Sequence, residues 1–115
     1  MSEFIGLPEA TIMTGAFKTN REVILGTTYQ NLDLLPFNET FDKDQVISML
    51  NNSGCVSMRI YYGMDDGKKV HALLVGVDSE NKDILPENDD PGNFILERSN
   101  RVPPSPTPPS SPLNS

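Results

Sequence analysis

A chain of 115 residues with three Tyr, five Phe, no Trp and 37% hydrophobic content has room for one domain and little else. Its net charge is −7, and its nine Lys and Arg (Lys18, Arg21, Lys43, Arg59, Lys68, Lys69, Lys82, Arg98 and Arg101) form no basic stripe, which disfavours nucleic acid and anionic membrane as partners. The N-terminus MSEFIGLPEA lacks the regions of a signal peptide, no run of ~18 apolar residues occurs, and Cys55 is the only cysteine, so the expectation is a cytoplasmic protein without an intrachain disulfide.

The composition breaks once. Residues 102–115 carry six of the ten prolines and no charged side chain. The expected organisation is a single α+β domain over 1–101 followed by a proline-rich tail over 102–115.

Residues 8–19 read as a first helix, with Pro8 suited to its first turn, Glu9 complementing the dipole, and Ile12/Ala16 and Met13/Phe17 spaced four apart. Residues 22–28, EVILGTT, are β-branched enough for a strand, and YQNLDLLPFNET reads as a loop broken by Pro36. A second helix is expected over 42–52. Asp42 and Gln45 have the spacing of a capping box, Val46, Met49 and Leu50 share a face, and Asn52, Ser53 and Gly54 supply a stop.

The strongest local signal follows in GCVSMRIYYGMDDGKKVHALLVGVD, a hairpin with strands at about 55–63 and 69–78. A two-residue type I′ turn at Asp66-Gly67 predicts a register in which paired residue numbers sum to 133. One face then gathers Val56, Met58, Ile60 and Tyr62 opposite Val77, Val75, Leu73 and His71. The other gathers Cys55, Ser57, Arg59 and Tyr61 opposite Asp78, Gly76, Leu74 and Ala72. Further strands are expected at 83–85 and 93–98, and two helices on the apolar face complete a small antiparallel α+β domain.

At GCVSMRIYYG and LLVGVD the chain resembles a family of small bacterial proteins with no known activity. The matching residues are Gly54 and Cys55, then Arg59, Ile60, Tyr61 and Tyr62, then Val75, Gly76, Val77 and Asp78, and finally Leu113 and Asn114 after a proline-rich stretch. The resemblance covers about a third of the chain and implies the hairpin. Relatives carry Cys-Pro-Pro-x-Cys near the end, where this chain has Val102, Pro103, Pro104 and Ser105, so any metal or disulfide role of that motif is absent here.

No catalytic residue, cofactor or metal is expected. Cys55 follows a helix C-terminus and faces Asp78 in the expected register, both of which oppose a thiolate. His71 reads as a rim or satisfied histidine, because one His and one Cys do not make a transition-metal site. DSENKD fails as a calcium loop at Lys82 and Asp83, which leaves only a weak alternative across Glu87, Asp89 and Asp90.

Arg59 and Tyr61, with an acid such as Asp78, are the candidate ligand-binding residues. A mid-strand guanidinium needs an acceptor, which is either an anionic ligand or an internal carboxylate. In the tail, Pro103, Pro106, Pro109 and Pro112 recur every third residue and would share one ridge of a polyproline II helix, a partner-binding shape. The signed versions of that motif fail, since residue 107 is Thr and no cation follows the prolines. Linker and ligand both remain open for the tail. The leading expectation is a non-catalytic interaction or assembly module whose partner is another protein or a second copy, and the alternative is a binder of a small anionic ligand, or a minor enzyme.

Overall fold

The computed structural model describes residues 2–88 and 92–115. In chain order its elements are α1 (Leu7–Asn20), β1 (Asn38–Thr40), α2 (Lys43–Leu50), β2 (Cys55–Met64), β3 (Val70–Asp78), β4 (Ile95–Leu96) and β5 (Asn100–Val102), with a 3-10 turn at Thr27–Tyr29. Strands β2, β3 and β4 form an antiparallel sheet in that order, and β1 pairs with β5 in a second, two-stranded one. This is the expected α+β fold, with the hairpin at its centre.

The hairpin register differs from the expected one by a residue. From Ser57–Val77 to Met64–Val70 the paired numbers sum to 134, and only Cys55–Asp78, beyond an irregularity at Val56, keeps 133. The turn explains the shift. Asp65 pairs with Lys69 through its N–H (3.1 Å), the Lys68 N–H bonds the Asp65 carbonyl (2.9 Å), and Lys68 takes φ +65°. The Asp65 carboxylate also accepts the N–H groups of Gly67 (2.9 Å) and Lys69 (3.0 Å). The loop therefore has three residues, Asp66, Gly67 and a left-handed Lys68, the alternative to a two-residue type I′ turn. One step of slip exchanges partners across the hairpin. Arg59 and Tyr61 lie opposite Val75 and Leu73, while Met58, Ile60, Tyr62 and Met64 lie opposite Gly76, Leu74, Ala72 and Val70.

The other end of β3 repeats the device. Asp78 pairs with Lys82 (2.9 Å), the Asn81 N–H bonds the Asp78 carbonyl (3.0 Å), Asn81 takes φ +65°, and the Asp78 carboxylate accepts the N–H groups of Glu80 (2.8 Å) and Lys82 (3.0 Å). This second turn brings Asp83 back beside Val77 as an isolated bridge. The expected strand over 83–85 is reduced to that bridge and an Ile84 N–H to Gly76 carbonyl bond (2.9 Å), and the expected 93–98 strand to Ile95–Leu96. The remaining edge of β3 is taken up elsewhere: the Val70 N–H goes to the Leu34 carbonyl (2.7 Å) and the Ala72 N–H to the Glu39 carboxylate (3.0 and 3.2 Å).

Of the two helices, α2 approaches β2, β3 and β4, and its Met49 is fully buried. Asp42 holds the N-cap position without a side-chain capping bond, so the box with Gln45 does not form, and Gly54 (φ +82°) follows the helix end. Gly76 has a packing reason, since a Cβ there would stand 2.9 Å from Cys55 Sγ and 3.7 Å from the Met49 carbonyl. Helix α1 buries no residue, because its apolar side chains are spread around the cylinder instead of gathered on one stripe. The strand expected over 22–28 is absent: Ile24 and Leu25 donate back to Asn20 (3.1 Å) and Glu22 (3.0 Å), continuing α1 as helical turns that satisfy the backbone locally. Conversely, β1 arises inside the stretch read as a loop and pairs with β5, which extends to the buried Val102.

The core is small: Leu34, Met49, Leu74, Val75, Val77 and Val102 are the buried apolar side chains among the described residues. Two buried arginines knit the loops around it. Arg101 is 4% exposed and donates to the backbone carbonyls of Val70 (2.9 Å), Asp33 (2.8 Å), Leu34 (2.8 Å) and Pro103. Arg21 bonds the Leu35 carbonyl, Glu22 (2.8 Å) and Asp33 (3.2 Å), with the Phe37 ring 4.2 Å from its guanidinium carbon.

Candidate functional site

Arg59 and Tyr61 sit two residues apart on β2 and therefore share a face of the sheet. The acid they meet is Asp83, delivered by the second Asp-capped turn, and not Asp78. Arg59 Nη1 donates to Asp83 Oδ1 (2.6 Å), and Arg59 Nη2 donates to Asn81 Oδ1 (2.5 Å) and the Asn81 carbonyl (3.3 Å). The Tyr61 hydroxyl donates to Asp83 Oδ2 (2.5 Å). Each carboxylate oxygen of Asp83 thus has its own donor. The Tyr61 hydroxyl and the guanidinium hold the Asp83 carboxyl below the usual carboxylate range, and Asp83 in turn raises Arg59 above its ordinary value. The guanidinium is spent on protein acceptors.

Asp78, the third expected site residue, is occupied as the cap of its own turn. His71 shares the Arg59 face, opposite Gly63. Its Nε2 lies 2.8 Å from Asp65 Oδ2 and its Nδ1 3.4 Å from Glu97 Oε1. That contact, followed by the backbone bonds from Lys69 and Gly67, holds the Asp65 carboxyl below its usual range. The Cys55 thiol donates to the Ser57 carbonyl (3.3 Å), so thiol and imidazole do not meet. Among the described residues no three His, Cys, Asp or Glu side chains converge on one point, and of the weak calcium alternative Asp89 and Asp90 lie outside those residues.

A different feature emerges on the outer side of β2. The strand is the end of its sheet among the described residues. Because the N–H groups of Val70 and Ala72 point away from β2, to Leu34 and Glu39, the alternation of an antiparallel ladder makes the even-numbered positions the non-hydrogen-bonded pairs. The backbone groups of Met58, Ile60, Tyr62 and Met64 therefore face outward. Their side chains are also open, at 42%, 46%, 77% and 65% exposure. This is a ten-residue edge with one charged side chain, Arg59, and none of the lysines or prolines that usually protect edges.

No protein-family model, no curated protein and no solved structure matches this chain. Its own geometry carries the functional argument.

The tail does not run as one straight ridge. A polyproline II helix has no internal hydrogen bonds, whereas here the Ser105 N–H bonds the Arg101 carbonyl (2.9 Å), and Asn114 donates to the Pro109 carbonyl (3.0 Å) while accepting the Ser111 N–H (2.8 Å). The segment folds back toward α1 and leaves an apolar groove of about 550 Å³ lined by Met13, Phe17, Phe37, Val102, Pro108 and Leu113, among others. No helix among the described residues is long and apolar enough to cross a membrane. What the arrangement offers chemically is apolar surface and an unpaired strand edge. Sequence reasoning found Arg59 and Tyr61 as a pair and an edge strand as a self-association surface without saying which strand, and it missed Asp83 and Asn81; the signal available for those two was the repeated Asp-x-x-x-Lys of 65–69 and 78–82, which sets the turns.

Proposed function

We infer that this chain is a non-catalytic assembly module, completed by another polypeptide that covers its apolar surface and the open edge of β2. The observation that carries the reading is surface area. The chain exposes 8592 Å², whereas a compact monomer of 12.7 kDa exposes about 6,200 Å². Its radius of gyration is 16.1 Å, against about 13 Å for a compact chain of this length. An excess on the order of 2,000 Å² exceeds the ~800 Å² that one partner contributes to a standard interface. Isolated exposed apolar residues are ordinary, but a continuous set on an unpaired strand marks a contact surface.

The small-anion alternative loses its support because the Arg59 guanidinium is engaged by Asp83 and Asn81. A protein partner is favoured over nucleic acid by the same logic: Arg21, Arg59 and Arg101 are consumed inside the fold. In this reading residues 1–101 form the body together with Val102, which ends β5 in the core, residues 103–115 fold against α1 as an accessory contact, and the setting is cytoplasmic, in keeping with the single unpaired cysteine.

The test is affinity capture and sedimentation with the full chain, with Ile60→Lys on β2 and with Pro106→Ala/Pro109→Ala in the tail. Association lost with Ile60→Lys supports the reading and makes β2 the contact. Association lost only with the proline pair moves the contact to the tail. A folded monomer that associates with nothing contradicts it.

A further inference from the structure

We propose that the polypeptide completing β2 is a second copy of this chain, paired antiparallel through β2 about a two-fold axis at Ile60, so that two three-stranded sheets join into one of six strands. The proposal rests on the assembly reading above and adds the identity of the partner and the register.

The backbone limits the choices. The outward N–H and C=O groups belong to even-numbered residues, so a second β2 bonds this one only where even positions face even positions. Two registers of that kind give the greatest overlap of the ten-residue strands. One is centred on Arg59 and the other on Ile60. The first sets Arg59 directly against its own copy at a non-hydrogen-bonded pair, where facing side chains crowd closest, and two guanidinium groups, each already held by its own Asp83, then meet like against like. The second sets Ile60 against Ile60, Met58 against Tyr62 and Arg59 against Tyr61. Every apolar side chain on the even face meets an apolar one, and the strand's single charge meets an aromatic ring, a favourable neighbour for a guanidinium. Of the two longest registers, this is the one in which the strand is complementary to itself.

The two-fold symmetry also fits what lies beside the strand. Facing residues of an antiparallel pair project on the same side, so the exposed Met58, Ile60 and Tyr62 of both copies become one continuous patch. The missing Cβ of Gly76, an even-numbered position, points at the Met49 carbonyl of α2. Helix α2 therefore closes over the even face, and two copies place their α2 helices on the same side of the joined sheet with this patch between them. Met58, Ile60, Tyr62 and Met64, now open, are the side chains such an arrangement covers.

The test is disulfide trapping of the full chain in a Cys55→Ser background. At a hydrogen-bonded antiparallel pair the Cα atoms stand about 5.5 Å apart, within disulfide range. Ile60→Cys should give a covalent dimer under mild oxidation. In the same register two copies of residue 62 are displaced by about 13 Å along the strand, so Tyr62→Cys should not. Sedimentation of the unmodified chain should give twice the 12.7 kDa mass, and Ile60→Lys, which sets like charges on the axis, should weaken self-association at least about tenfold. Trapping at 62 as fast as at 60, or at neither position, overturns the proposal. So does a monomer at high concentration: if that monomer still binds a different protein in a manner lost with Ile60→Lys, the assembly reading survives without the second copy, and if it binds nothing, both fail.

Discussion

Arg59 and Asp83 meet at 2.6 Å across 24 positions of chain, and the Asp-capped turn between β3 and Asp83 is what brings them together. The pair closes the face of the sheet on which a ligand clamp was expected. The other edge of the same strand stays unpaired among the described residues.

This pairing makes stability acid-sensitive in a defined window. The folded pKa of Asp83 lies below its ordinary value of 3.8, and so does that of Asp65. A group depressed on folding contributes stability that is fully present above the unfolded value and is lost as pH falls through the folded one. The contribution of these two carboxylates should therefore stay constant down to just above pH 4 and fall below it, lowering the melting temperature there. Asp83→Asn should shallow that fall, as measured by thermal melts across pH 2 to 6. An unchanged slope would remove Asp83 from the explanation.

Arg101→Lys should destabilise the chain by about 2–4 kcal/mol. Lysine keeps the charge but not the planar fork that reaches four carbonyls, and buried acceptors left without donors cost about 1–3 kcal/mol each. Urea denaturation measures the change, and a loss below about 1 kcal/mol would contradict the role assigned to this side chain.

The twin turns make opposite predictions at their left-handed positions. Lys68 has φ +65° and no side-chain bond of its own within the turn, so Lys68→Gly should stabilise by about 0.5 kcal/mol through relief of the left-handed penalty. Asn81 has the same φ, but its Oδ1 accepts from Arg59, so Asn81→Gly should destabilise. Paired thermal melts decide it, and equal signs would count against the turn assignment.

Glu39→Ala should cost about 1–3 kcal/mol, because the Ala72 N–H loses its acceptor on a part-buried strand edge and the Ser99 hydroxyl loses one as well. Hydrogen exchange should show the Ala72 amide opening first. Retained protection there would mean another group takes the place of the carboxylate.

The hairpin, the second helix and the α+β class were legible because they depend on local pattern: β-branched alternation over 55–78, a helical face over Val46, Met49 and Leu50, and a glycine after it. Register was not legible to the residue. Asp-Gly at 66–67 suits a two-residue turn, and only the carboxylate of Asp65, bonded to two backbone amides, tips the balance to three. The site suffered from the same step. Arg59 and Tyr61 share a strand and were visible together, whereas Asp83 is their neighbour only once the turn at Asp78 and the shifted register are known. The role of Arg101 depends on carbonyls from Asp33, Leu34, Val70 and Pro103, which no local pattern announces.

The most direct measurement is amide hydrogen exchange at Met58, Ile60 and Tyr62 in the full chain, followed from dilute to concentrated solution. These N–H groups face outward from the sheet, so in an isolated chain they are open to water. Completion of β2 by a second copy predicts protection that rises with concentration and is lost in Ile60→Lys. Fast exchange at all three positions at every concentration would contradict it.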